Sequence, residues 1–237
     1  MDPKEKLIVA LDVDTAEKAL SLVEALKSDV RYFKVGLELF SSCGPSIVRD
    51  IGRAGCRVFL DLKYHDIPNT VSKSASSVTV PGVFMLNVHA LGGHDMMKKA
   101  AEAVRQAADR SKIDRPKVIA VTILTSMDEM ALKKAGISDT MDAEVLKLAG
   151  LAKEAGLDGV VASPLEAKRL REAFGGDFLI VVPGIRPEWA ASGDQKRFAT
   201  PLEAVKAGAD YIVVGRPITE ARDRKEAARR ILEEMTT

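Results

Sequence analysis

The sequence predicts a single (β/α)8 barrel, the TIM-barrel class of α/β fold, over residues 1–237. Three observations carry that reading. Short β-rich apolar runs recur eight times, amphipathic helical patterns fill the gaps between them, and Gly-containing breaks stop helices just before the next run. Near-continuous apolar strands alternating with helices mean a parallel sheet whose outer face is covered. An open doubly wound sheet uses the same units, but no G-x-G-x-x-G follows the first run.

The runs fall at 7–13, 32–35, 58–62, 84–88, 118–124, 159–162, 179–182 and 211–214. Between them, "TAEKALSLVEALKS" and "GHDMMKKAAEAVRQAAD" place apolar residues three and four apart, which gives a helix one buried face. "RAGC", "EAGLDG" and "KAGAD" supply glycine where a helix must end. No linker, low-complexity segment or charge block divides the 237 residues, a length suited to one barrel of roughly 250. The charge-dense "EARDRKEAARRILEEM" reads as a solvated outer helix.

Composition narrows the function. Apolar residues make up 46% of the chain, ample for a core, and the formal net charge is +1. Such a balance gives no global pull toward nucleic acid or an anionic membrane, so a bound anion must be caught locally. Cys43 and Cys56 lack metal-ligand spacing and read as free thiols of a reducing cytoplasm. The apolar run in "MDPKEKLIVALDV" is too short for a signal peptide core or a membrane span.

In a barrel, chemistry belongs at the C-terminal ends of the strands. Polar residues gather there: Asp12 after the first run, Lys34 on the second, Asp61 and Lys63 on the third and His89 after the fourth. Thr125 and Ser126 follow the fifth, Pro183 and Gly184 the seventh, and Gly215 and Arg216 the eighth. The strand bodies are Ile, Val, Leu and Ala. Seven such ends point to one shared pocket.

The third end, "FLDLKYHDIPNT", is the most charged. Alternation along a strand puts Asp61 and Lys63 on one face and Leu60 and Leu62 on the other. Lys63 then looks into the barrel mouth beside a carboxylate, with Lys34 able to reach the same space. An ion pair that merely closes the barrel top is the plainer reading, yet such pairs stabilise little once desolvation is counted. Fixed charge clusters are more often functional. Asp66 lies beyond the strand, where it can cap the helix starting near Pro68, and strand geometry does not place it in its own pocket. His65 faces away from Lys63 if the strand continues.

The seventh and eighth ends point to a phosphate. "VVPGIRPEWAASGDQKRFATP" is long for a barrel connection, and "VVGRPIT" puts Gly-Arg-Pro at a helix start. Backbone N–H groups and an arginine fork suit a phosphate there, in the usual phosphate position of such barrels. A surface arginine beside a helix cap is the plainer alternative for Arg216.

Together, "LDV", "FKVG", "FLDLKYHDIPNT", "LTS", "VPGIRP…GDQKR" and "VVGRPIT" resemble the bacterial-type orotidine 5′-phosphate decarboxylase family, from the first strand to the eighth. The Asp-x-Lys-x-x-Asp motif alone is shared with sugar-phosphate relatives; the ordered set is far more specific. The resemblance implies loss of the C6 carboxylate of orotidine 5′-monophosphate as CO2, giving uridine 5′-monophosphate, with no metal and no organic cofactor. It implies a homodimer with shared active sites, in which Lys34, Asp61 and Lys63 form a charge network completed by Asp66 of the other subunit. Lys63 would protonate C6. Asp12 and Lys34 would hold ribose hydroxyls with Thr70 of the other subunit, while Thr125 lies near the base and Ser126 bonds it. Arg186 would lie in a mobile loop, Gln195 would bridge base and phosphate, and Gly215 with Arg216 would grip the phosphate. Ile67 of the other subunit and Pro183 are candidates to receive the leaving carboxylate.

That chemistry accounts for the charged strand end. Cleaving the bond leaves negative charge on C6 with no cofactor as electron sink. A fixed ammonium stabilises that charge and then supplies the proton. Two other functions use related parts. A Mg2+-dependent sugar-phosphate decarboxylase or synthase of the same barrel needs an acid on strand two, where Lys34 stands. A non-catalytic nucleotide-binding barrel would need Gly215 and Arg216 but no Asp61–Lys63 pair.

Overall fold

In the computed structural model, which describes residues 3–190 and 199–236, the eight runs form eight parallel strands. They are β1 (Leu7–Ala10), β2 (Tyr32–Gly36), β3 (Arg57–Tyr64), β4 (Val83–His89), β5 (Lys117–Val121), β6 (Gly159–Val161), β7 (Leu179–Val182) and β8 (Tyr211–Val214). Each pairs with the next, and β8 returns to β1 with Val9 opposite Val214, so the barrel is closed. The expected fold class is the one observed.

Helices cover the outside. α1 (Ala16–Leu26) follows β1, while α2 (Leu37–Cys43) and α3 (Ser46–Arg53) follow β2. α4 (Pro68–Ser77) follows β3 and α5 (His94–Ser111) follows β4. Next come α6 (Glu129–Lys134) and α7 (Met141–Glu154) after β5, then α8 (Pro164–Phe174) after β6. α9 (Pro201–Lys206) precedes β8, and α10 (Arg216–Thr219) and α11 (Arg224–Glu234) close the described chain. Gly55, Gly156 and Gly208 take positive φ between helix and strand, as the three breaks in the sequence require. α9 starts with a capping box, Thr200 and Glu203 each accepting the other's backbone N–H, with Pro201 in the first turn.

At their C-terminal ends three strands depart from expectation by two residues or more. β1 ends at Ala10 and β5 at Val121, each three residues early. Leu11 and Thr122 still donate to the neighbouring strand, at 3.0 and 3.4 Å, but the chain then turns. Thr15 must reach the cap of α1, where its hydroxyl accepts from Lys18, and Asp128 caps α6. β3 instead runs on to Tyr64, through a register shift against β4 between Leu60 and Tyr64.

Two apolar layers result. Outward-facing side chains such as Leu7, Val9, Leu60 and Leu62 pack under the helices. Ile8, Tyr32, Phe59, Phe84, Met85, Ile119, Val181 and Val213 fill the interior. Tyr32 and Phe84 have ring centroids 4.3 Å apart, and the Tyr32 hydroxyl donates to Glu5 at 2.6 Å. The N-terminal half of the barrel is thus a packed core, and stability devices sit at that end. Asp158 takes two hydrogen bonds from Arg115 and one from the Val118 N–H; Asp210 is held likewise by Arg171 and the Ile180 N–H. The charged cluster Asp12, Lys34, Asp61 and Lys63 lies toward the C-terminal ends.

Candidate active site

The inward positions that continue this core become polar one after another. Lys34 follows Tyr32 on β2, Asp61 follows Phe59 on β3, and Asn87 follows Met85 on β4. The Asp61 carboxylate is at the centre. Its Oδ1 accepts from Lys63 Nζ at 2.6 Å, and its Oδ2 lies 3.4 Å from Lys34 Nζ. Lys34 Nζ also donates to Asp12 Oδ1 at 2.9 Å. Negative and positive groups therefore alternate in the order Asp12, Lys34, Asp61, Lys63.

Electrostatics favours the charged forms of Asp61 and Lys34. Burial alone would push the Asp61 carboxyl up; Lys34, Lys63 and the hydrogen bonds from Lys63 and Asn87 outweigh it and hold the group below the ordinary carboxylate range. Burial opposes the Lys34 ammonium, but Asp61 and Asp12 more than offset it and its pKa lies above the usual value. The Lys34 and Asp61 side chains are only 13% and 12% exposed, whereas Lys63 at 30% and Asp12 at 61% open toward the mouth. Gly36 makes room for this array: a Cβ there would stand 3.0 Å from Lys34 Nζ.

Lys63 reaches Asp61 by a route that alternation does not describe. It has φ of +51° inside a strand, at the register shift between Leu60 and Tyr64. Its backbone N–H donates to Asn87 Oδ1 at 2.8 Å, while Asn87 Nδ2 donates to Asp61 Oδ1 at 2.7 Å. The expectation that Asp61 and Lys63 share the mouth holds, but a bulge braced by Asn87 brings them together, not a regular pleat. Sequence reasoning passed over Asn87. Its signal was a lone amide in the apolar run "VFMLNVH", two residues before His89.

Other expected residues lie around the mouth. Gly215 is next to Asp12, whose Oδ2 a Cβ on Gly215 would meet at 3.6 Å, and Arg216 is the first residue of α10. Thr125 and Ser126 occupy a turn past β5, half-buried and exposed respectively. Pro183 follows β7, and Arg186 is buried, its N–H donating to the Ala199 carbonyl at 3.0 Å. Gln195 lies outside the described residues. Asp66 and Thr70 are exposed. The Asp66 carboxylate accepts from the Ile67 N–H, and among the described residues it makes no ion pair. His65 leaves the strand and packs beside His89, the rings tilted with centroids 5.6 Å apart. Burial, then His65 and Lys63, push the His89 pKa down. An apolar cavity of about 720 Å³ between α3 and the end of α4 contains none of these residues.

Known proteins resemble this chain over nearly its whole length. Residues 5–231 match the model of the orotidine 5′-phosphate decarboxylase / HUMPS family. The chain is 52% identical to orotidine 5′-phosphate decarboxylase of Trichlorobacter lovleyi, over 99% of this chain and 96% of that protein. It is 48% identical to the enzyme of that name from Heliobacterium modesticaldum, over 99% and 97%. The crystal structure of orotidine 5′-phosphate decarboxylase from Lactobacillus acidophilus superimposes with a TM-score of 0.88 at 42% identity, covering 98% of this chain and all (100%) of that one. A family model that spans nearly the whole barrel, together with relatives of matching length, places the chain: it belongs to the orotidine 5′-phosphate decarboxylase / HUMPS family.

Proposed function

We propose that this chain is a carboxy-lyase that converts orotidine 5′-monophosphate to uridine 5′-monophosphate and CO2, the closing step of UMP biosynthesis. The observation that carries the reading is the array of Lys34, Asp61 and Lys63 at the barrel mouth, in a chain of this family.

The C6–carboxylate bond breaks, CO2 leaves, and the electron pair stays on C6. Lys63 Nζ, held by Asp61, meets that charge as it develops and donates its proton to C6; solvent then reprotonates the amine. Asp61 beside the substrate carboxylate also opposes the ground state, a smaller effect than the fixed ammonium. Asp12 and Lys34 hold the ribose hydroxyls, Thr125 and Ser126 the pyrimidine, and Pro183 offers apolar surface to the departing CO2. Gly215 and Arg216 take the phosphate, with Arg186 and Gln195 from the connection after β7. Phosphate binding far from the bond cleaved supplies binding energy that the site can spend on the reacting carbon.

The reaction needs no metal or cofactor in this reading. The Lys34 ammonium stands against Asp61, the carboxylate a Mg2+-dependent relative would use, and a cation there repels a divalent ion. The active form is a homodimer in which Asp66, Ile67 and Thr70 enter the partner's site. Support comes from Leu37, Ile67 and Leu91, which are 57%, 67% and 47% exposed at the exits of β2, β3 and β4. An apolar rim beside an exposed Asp66 suits an interface. Two free cysteines fit a cytoplasmic location, and among the described residues no helix is long and apolar enough to cross a membrane.

Ultraviolet absorbance tests the activity. Purified protein with a chelator should bleach the orotate chromophore of orotidine 5′-monophosphate; an unchanged spectrum sinks the reading.

A further inference from the structure

We propose that Asn87 is a positioning residue for this decarboxylation, fixing the Lys63 ammonium by bracing the β3 bulge and the Asp61 carboxylate at once. The inference rests on the functional reading above and assigns a role to a residue that touches no substrate.

Asn87 is 1% exposed and sits in the body of β4, where an amide must find partners within the protein. It has two. Its Oδ1 takes the Lys63 N–H at 2.8 Å and its Nδ2 reaches Asp61 Oδ1 at 2.7 Å. The orientation of the amide is forced, because a backbone N–H can only donate and an ionised carboxylate can only accept. Both contacts act on the reacting lysine. One holds its backbone where the strand would otherwise pair with β4. The other fixes the oxygen that also receives Lys63 Nζ at 2.6 Å.

The backbone supports the same conclusion. Among the described residues only Lys63 and Lys112 are non-glycine residues with positive φ. Lys112 lies at the exposed C-cap of α5, where a left-handed residue is ordinary. Lys63 is within a strand, where such a conformation persists only if its surroundings over-determine it. The Asn87 amide is the side chain that supplies this bond. Without it the carboxylate can turn toward Lys34, whose Nζ is 3.4 Å from the other oxygen, and the Lys63 backbone can relax.

Wild type, Asn87→Ala and Asn87→Asp are compared across pH. For Asn87→Ala, kcat should fall about tenfold to a hundredfold, the scale of losing a hydrogen bond to a charged group. The dissociation constant for uridine 5′-monophosphate, held by its phosphate and ribose, should change less than about threefold. The acid limb of kcat/KM should move to higher pH, because Asp61 loses a donor that favours its ionised form. Asn87→Asp has the same shape, so it keeps the test intact if the alanine variant folds poorly. It should be impaired at pH 8 and gain on Asn87→Ala as pH falls, once its carboxyl carries a proton to present to Asp61. Unchanged kcat and acid limb would overturn the proposal. So would a kcat loss matched by an equal loss of nucleotide affinity with the acid limb unmoved, since that is general loosening. Wild type that leaves orotidine 5′-monophosphate intact instead overturns the functional reading itself.

Discussion

Lys63 meets Asp61 at 2.6 Å from a left-handed backbone, with φ of +51°. An L-residue held there costs roughly 1–3 kcal/mol, and a partly buried ion pair returns little of it after desolvation. The fold thus keeps a conformation it does not need for stability. In the proposed reaction the arrangement provides an ammonium already in place before charge develops on C6, so no reorganisation is required.

The strain has a measurable signature. At an ordinary strand position glycine is the worse replacement, by roughly 0.5–1 kcal/mol against alanine. At Lys63 the order should invert, because a left-handed L-residue costs about 1–2 kcal/mol that glycine avoids. Lys63→Gly should melt about 1–4 °C above Lys63→Ala, as expected for a chain of this size. Equal melting points, or alanine the higher, would remove the strain from the account.

Asp61 and Lys34 make opposite pH predictions for stability. A carboxyl whose pKa is depressed by folding contributes fully above its unfolded value, about 3.9, and loses that contribution as pH falls through the folded value. An ammonium whose pKa is raised contributes fully below about 10.4 and loses it as pH rises through the folded value. Between roughly pH 5 and 9 neither changes charge. The melting-temperature difference between wild type and Asp61→Asn should be flat across that window and should shift against wild type below about pH 4. A steady slope through neutral pH would contradict the assigned charge states.

The barrel was legible because eight apolar runs and their glycine breaks are local features, each readable in a few residues. Asp12, Lys34, Asp61 and Lys63 were legible because charge interrupts runs that are otherwise apolar. The path of Lys63 was not, since alternation assumes a regular pleat and the bulge depends on an amide from β4, twenty-four residues away in sequence. Thr125 and Ser126 follow a strand shorter than its apolar run, because capping α6 draws the chain aside. The same limit holds for Asp66: an exposed carboxylate beyond a strand end says nothing local about which site it serves.

Mixed dimers test the proposed shared site. Lys63→Ala and Asp66→Asn proteins, each nearly inactive alone, are dissociated together and re-paired at random, so about half the dimers become mixed. If Asp66 serves the partner's site, a mixed dimer holds one site with both defects and one with neither. Activity should return to roughly a quarter of wild type, half the dimers each regaining one of two sites. Confirmed exchange with no recovery would place Asp66 in the site of its own chain.

The most direct test follows the carboxylate itself. Orotidine 5′-monophosphate labelled in its C6 carboxylate is given, with a chelator present, to wild type and to Lys63→Ala that retains its circular dichroism. Wild type should release one labelled CO2 for each uridine 5′-monophosphate formed, and Lys63→Ala none above background. Retention of label by wild type, or substantial release by Lys63→Ala, would contradict the assignment of Lys63 as the group that meets and protonates C6.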